Sequence, residues 1–296
     1  MNAKEIFFET PSGSYRIPNR WSLLNGHQFL MVLDLIDLWH EGVLSPIAVQ
    51  AQYVCMYLGL DHNKIDKEDG MQNLYAISSA IDFIFEYDKG TDEYRLRQPL
   101  FAVQKFPSIK IAGRSFSGYD VCTSGGMLSV GIEALPFIDA LQLLGDGSQE
   151  SILRLVLLLY QGGWCSEIEI HKLSETLFPQ VLAVEWRVIR AVAFQFSALA
   201  SYIFRLPRYS VLRNSNNQSK ASAEYSIGME SSLYHLCADG IGTADEVERL
   251  PILQYLNLIR QKLIEGVRSM REMGLEMSDI SEKTHIDILT VAKILQ

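Results

Sequence analysis

Histidine and cysteine are the residues from which a catalytic or metal site would first be assembled, and in this chain they stand apart. The histidines are His27, His40, His62, His171, His235 and His285, and the cysteines are Cys55, Cys122, Cys165 and Cys237. A zinc site needs ligands paired at short spacing, and no CxxC or Cys/His pair of that kind occurs. His235 and Cys237 come nearest, yet two residues along a helix turn their side chains about 200° apart, so they do not share an ion. With no metal spacing and no disulfide framework, the cysteines read as reduced, mostly buried small hydrophobes, which fits a reducing cytoplasm.

Other chemistries lack their signatures as well. No GxSxG elbow is present, and no cysteine has a convincing histidine partner, so nucleophilic catalysis has no support. The glycine pairs Gly125-Gly126 and Gly162-Gly163 fall outside any GxGxxG or GxxxxGK[ST] loop and read as turns rather than phosphate cradles. The carboxylates of 61–69 and 245–249 lack the alternating ligand pattern of a calcium loop and read as solvated surface. The sequence therefore predicts a protein that is not an enzyme, with no cofactor and no metal.

Charge narrows the partners. Lys and Arg number 26 against 35 Asp and Glu, a formal charge of −9. That balance disfavours extended contact with phosphate backbones, which relies on cations to displace counterions. Arg205, Arg208, Arg213 and Lys220 form one local basic group, read mainly as cations at a helix C-terminus, where the dipole favours them.

The elements that would position any site are mostly helical. A hydrophobic fraction of 48% with 21% charged residues is that of a globular chain. Ile6 to Thr10, the turn residues Pro11, Ser12 and Gly13, and Tyr15 to Ile17 suggest an N-terminal hairpin. Asn25 with Gln28 forms a capping box ahead of Phe29, Val32, Leu33, Ile36 and Trp39, one apolar stripe ended by Gly42. Ser45-Pro46 opens a second helix that stops at Gly59, and the two helices form a pair. A third helix near 74–80 leads into Phe83, Phe85 and Tyr87, whose alternation allows a strand paired with 94–97 through a turn at 88–91. Residues 106–128, rich in Gly, Ser and Pro, read as short strands and loops.

A second helical block begins at Leu135. Its Phe137 to Leu143 aligns with Phe29 to Leu35, and Val156 to Tyr160 aligns with Tyr53 to Tyr57. Two amphipathic helices of one composition align to some degree by themselves, so a duplicated hairpin stays one of two readings. A short helix over 167–178 follows. The stretch 181–204, roughly 36 Å as a helix, is apolar on most sides from Ala191 and reads as the central helix. It carries Glu185, Arg187 and Arg190, and 152–160 is short, so no membrane span is predicted. Nor does 1–10 hold the apolar core of a signal peptide.

Residues 213–226 contain no large aliphatic side chain and read as a flexible loop ahead of a C-terminal module. In that module Thr243 and Glu246 form a capping box, Pro251 resets the chain, and Leu253, Leu256, Ile259, Leu263 and Val267 recur at helical spacing over 252–273. Leu256, Ile259 and Leu263 are the candidate anchors for a partner protein, with burial in the chain's own core as the competing reading. The last residues, 278–295, read as a helix-turn-helix with its turn near His285. Its second helix offers only Thr290, Lys293 and Gln296 toward DNA, which favours a docking element over a DNA reader.

The predicted fold is mainly α, a multi-helix bundle with a small N-terminal β hairpin and short strands in the middle. The expected division is an α+β region over 1–122, a helical core over 123–212, a loop over 213–227 and a C-terminal helical module over 228–296.

Two runs carry a family resemblance. Ile17-Pro18-Asn19-Arg20-Trp21-Ser22-Leu23 leads into His27-Gln28-Phe29. Leu233-Tyr234-His235-Leu236 precedes Gly240-Ile241-Gly242-Thr243, Glu246-Val247 and Pro251-Ile252. In these the chain resembles proteins of the tail-morphogenesis region of bacteriophages and prophages, including tail-assembly-chaperone-like proteins. The resemblance implies a helical, non-enzymatic protein of the bacterial cytoplasm, or associated with the virion, that holds a tape-measure or tail-tube subunit. The chain is longer than such chaperones and has a β-containing N-terminal part, so a structural tail component fits the resemblance equally. A DNA-associated regulator using the C-terminal helix pair is the alternative.

Overall fold

The computed structural model describes residues 4–10, 13–60, 65, 68–161, 166–212 and 221–296, the side chains of 10, 68 and 221–228 excepted. The expected turn residues Pro11 and Ser12, together with His62, Gly162-Gly163, Cys165, Arg213 and Lys220, lie outside them. The structure is mostly helical, with four two-stranded antiparallel sheets among the described residues. It divides into two compact units, Met1–Lys105 and Phe106–Gln296.

The first unit opens with the hairpin expected from sequence, β1 (Glu5–Thr10) against β2 (Gly13–Pro18), in a register that opposes Ile6 to Ile17 and Phe8 to Tyr15. The Phe8 and Tyr15 rings stack at 5.5 Å. Next comes α1 (Gly26–His40), whose Asn25 and Gln28 exchange both capping-box hydrogen bonds. Gly42, at φ +74°, then takes the left-handed turn that glycine adopts without strain. Ser45 caps α2 (Pro46–Leu58), and α3 (Glu68–Ser79) packs against α2. The ambiguous aromatic stretch resolves into β3 (Phe85–Asp88) paired with β4 (Glu93–Leu96), so Phe83 precedes the strand. Phe83 joins the core instead, edge-on to Trp21 at 5.1 Å and to Tyr53 at 5.5 Å. Lys105 closes the unit: its half-buried ammonium donates to the carbonyls of Ser22 at 2.9 Å and Leu24 at 2.5 Å. Burial pulls that lysine down to about 8.

The second unit begins with two hairpins, β5 (Ser108–Ile111) with β6 (Arg114–Ser117) and β7 (Val121–Ser124) with β8 (Met127–Val130). Gly125 and Gly126 both have positive φ, the requirement of a tight two-residue hairpin turn, so this pair is a turn as its sequence suggests. Then follow α4 (Ala134–Asp146), α5 (Gln149–Tyr160), α6 (Glu167–Leu177) and α7 (Ala183–Arg205). As expected, α7 is central from Ile189 on, with Phe196 and Phe204 buried and both facing Phe137 of α4. The remainder is α8 (Ala221–Ala238), α9 (Ala244–Glu248), α10 (Ile252–Glu272), α11 (Met277–Thr284) and α12 (Ile288–Leu295).

Four expectations change. A boundary at 122 would cut β7, whose Cys122 opposes Ser129 of β8, and the division falls after Lys105. Residues 221–227 are helical within α8 rather than loop, while 213–220 lie outside the described residues. The last helices belong to the second unit because α4 packs extensively on α8 and a backbone bridge joins Glu133 to Pro251. In that bridge Ala134 N–H donates to Leu250 at 2.8 Å and Ile252 N–H donates to Ile132 at 2.9 Å. Cys55 is buried as expected, but Cys122 is exposed, on the outward face of a short hairpin.

A candidate partner-binding groove

The groove is built on α10, which Pro251 starts after α9 and its N-cap Thr243. Thr243 and Glu246 there form the predicted capping box, with Thr243 N–H donating to the Glu246 carboxylate at 2.9 Å. The first turns of α10 are held deep in the unit: Ile252, Tyr255 and Leu256 are fully buried, and the Tyr255 hydroxyl donates to the Met229 carbonyl of α8. Burial pushes the Tyr255 phenol well above its usual range, so the hydroxyl stays a donor.

The last turns of α10 enter a second, smaller core. Val267 packs with Ile280 of α11, with Ile286, and with Val291 and Ile294 of α12; Leu263, Ile264 and Met270 pack around them. The expected helix-turn-helix is present here, with its turn at His285 (φ +54°). Ser281 Oγ donates to the Ile286 carbonyl at 2.6 Å, and Asp287 caps α12 by accepting from Thr290 N–H at 2.9 Å. Those hydrogen bonds hold the Asp287 carboxyl below its usual range.

Between its two buried ends α10 borders a groove with α8, a cavity of about 350 Å³ whose α11 wall is Thr284. Leu236, Ile259, Leu263, Val267 and Met270 give it apolar walls, and Ser232 and His235 stand on the α8 side. The groove carries an ion pair between its two helices, Lys262 Nζ to Asp239 Oδ2 at 3.2 Å, with both groups largely in solvent. Gly266 opens the space. It sits inside a 21-residue helix with ordinary helical backbone, and a Cβ built there meets nothing within 4 Å. A glycine inside a helix costs about 1 kcal/mol relative to alanine, and here no backbone need requires it.

Of the three anchors expected from sequence, the groove brings two together, Ile259 and Leu263. Leu256 is corrected: it is fully buried, because the first turns of α10 are covered by the rest of the unit, and it is not accessible to a partner. Sequence reasoning missed Ser232, His235, Asp239 and Gly266. Only Gly266 left a signal, an isolated glycine in an amphipathic helix.

Elsewhere in the unit, the half-buried carboxyl of Asp139 on α4 is strongly perturbed. Burial first, then the carboxylates of Glu167, Glu230 and Glu248, push it up to about 7, against the pull of Arg154. Among the described residues no three His, Cys, Asp or Glu side chains converge to hold a metal ion, and no helix is long and apolar enough to cross a membrane. No protein-family model matches this chain, and neither a curated protein nor a solved structure matches it.

Proposed function

We propose that this chain is a non-enzymatic assembly protein of the tail-morphogenesis kind its sequence resembles, and that it holds a helix of a partner such as a tape-measure or tail-tube subunit. The observation that carries the reading is the open groove at Gly266, where a helix gives up stability to keep apolar surface uncovered beside Ile259 and Leu263. Amphipathic helices dock into such grooves through apolar side chains at helical spacing. The lining of α10, Ile259, Leu263, Gly266 and Met270, runs along one face at that spacing.

The C-terminal pair supports the same class of partner. A helix that reads DNA leads into the major groove with its N-terminal residues. Those of α12 are Asp287, a carboxylate, and Ile288 and Leu289, aliphatic side chains 48% and 71% exposed. Carboxylate and aliphatic groups suit a protein surface better than phosphate or base edges.

The test is affinity capture from the native host with mass spectrometry, comparing the wild-type chain with Gly266→Leu and Gly266→Ala. Leucine fills the groove while raising helix propensity, so loss of binding is not loss of fold. The expected result is recovery of a tail structural protein by the wild type and its loss with leucine. Wild-type protein that captures no tail protein overturns the reading, and equal capture by the leucine variant removes the groove from it.

A further inference from the structure

The short helix Pro207–Leu212, which leaves the end of α7, lies along α10. Tyr209 ties the two together: its side chain is fully buried, and its hydroxyl donates to the Leu253 carbonyl at 3.1 Å. Val211, two residues on, packs against the second core with Leu263 and Ile264. Arg260 stands on the same side of α10 as Leu253 and Ile264, at helical spacing, and about 100° round the helix from Ile259 of the groove.

Charge is one-sided on both elements. In a chain of net charge −9, no Asp or Glu occurs between Glu185 and Glu224 or between Glu248 and Glu265, while these stretches hold six and three Lys or Arg. Arg205 and Arg249 have partners within the chain, and Lys262 pairs with Asp239. Arg208 and Arg260 differ, since among the described residues no carboxylate forms an ion pair with either.

The Arg208 guanidinium lies over the Tyr209 ring, its Cζ 4.7 Å from the centroid, which fixes the plane of the fork and leaves its N–H groups at the exposed edge. Arg260 Nε is shut off from water and has no hydrogen-bond partner among the described residues. A guanidinium does not shed its proton to escape burial, so the unmet donor stays a cost to the fold. Both charges bear on the Tyr209 phenol, which burial pushes up against their pull. Two like charges held about one ring repel each other, and an anion between them turns that repulsion into attraction.

We propose that Arg208 and Arg260 form a binding site for a phosphate dianion, either the free ion or the head of a phosphorylated group. Two guanidinium forks present two positive charges and more N–H donors than the two oxygens of a carboxylate can accept. A phosphate matches both the charge and the number of donors.

Isothermal titration calorimetry of the full chain at about pH 8 and constant ionic strength tests the site, with inorganic phosphate and phosphoserine as probes and acetate as the singly charged comparison. Phosphate is expected to bind one to one with a dissociation constant on the order of 10⁻⁴ to 10⁻³ M, and acetate roughly tenfold more weakly. Tighter binding of phosphoserine marks a phosphorylated side chain as the source, and tighter binding of phosphate marks the free ion. Arg260→Met keeps the buried stem and removes the unmet donor, so its melting temperature is retained or raised while phosphate binding falls roughly tenfold. Arg208→Gln, on the exposed side, gives the same loss of binding with the melting temperature retained. A wild type that binds neither phosphate nor phosphoserine overturns the inference, as does unchanged binding in either variant or acetate that binds as tightly as phosphate.

Discussion

Asp139→Asn tests the electrostatics of the second unit most directly. The folded-state pKa of Asp139 is about 7 against an ordinary 3.8, so between these values the folded protein holds a proton that the unfolded chain has released. Stability from this group therefore grows as pH falls through 7, is complete below 3.8, and is lost as pH rises through 7. From pH 8 to pH 5 the proton is held over about two units below the folded pKa, which at 1.4 kcal/mol per unit amounts to about 2 to 3 kcal/mol. The physical source is an ionised carboxylate that above pH 7 is shielded from water and repelled by Glu167, Glu230 and Glu248, with Arg154 only partly offsetting them. Asparagine keeps the shape and removes the charge. At pH 8 the variant melts higher than wild type, and at pH 5 the gap is smaller by roughly 5 °C. Comparing the two proteins at each pH by calorimetry cancels every other titrating group. A variant whose difference from wild type is the same at pH 5 and pH 8 refutes the assignment.

Three further outcomes follow from local geometry. Ala112 sits at φ +48° in the turn between β5 and β6, so Ala112→Gly relieves left-handed strain and raises stability by about 1 kcal/mol in urea denaturation. Lys105→Met leaves the Ser22 and Leu24 carbonyls of the first unit without their donor and lowers stability by about 1 to 3 kcal/mol, read as an earlier unfolding of that unit in hydrogen exchange. Asp287→Ala removes the cap of α12 and weakens the C-terminal pair by about 1 kcal/mol at neutral pH. Because the Asp287 pKa is lowered on folding, its contribution is present above 3.8 and fades as pH falls through the folded value, so the gap between variant and wild type narrows in acid.

Local signals were legible where one residue type settles one backbone need. Asn25 with Gln28, Ser45 with Pro46 and Thr243 with Glu246 each start a helix where their chemistry demands, and Gly42 and Gly59 end one in the left-handed region. Partnership across the chain was not legible. Nothing in the spacing of 252–273 distinguishes Leu256, fully buried, from Ile259 and Leu263, which line an opening, because all three share one stripe and differ only in which neighbours cover them. The boundary near 122 failed for a related reason. Gly and Ser mark turns, and the hairpins of 108–130 use them as turns within one unit rather than as a linker between two.

The groove follows from the two duties of α10. Its first turns are fixed by Tyr255 and by the backbone bridge at Pro251, and its last turns by Val267 against α11 and α12. A helix held at both ends cannot bend to close on α8 between them without straining one core or the other, since packed interiors resist deformation. The middle of the helix must then fill the gap with large side chains or leave it open. At the position where a leucine would fill it, the chain has Gly266, with open space beyond its Cα. Gly266 weakens its own helix and adds nothing to either core, and this is why the groove, rather than the longer apolar stripe, carries the functional reading.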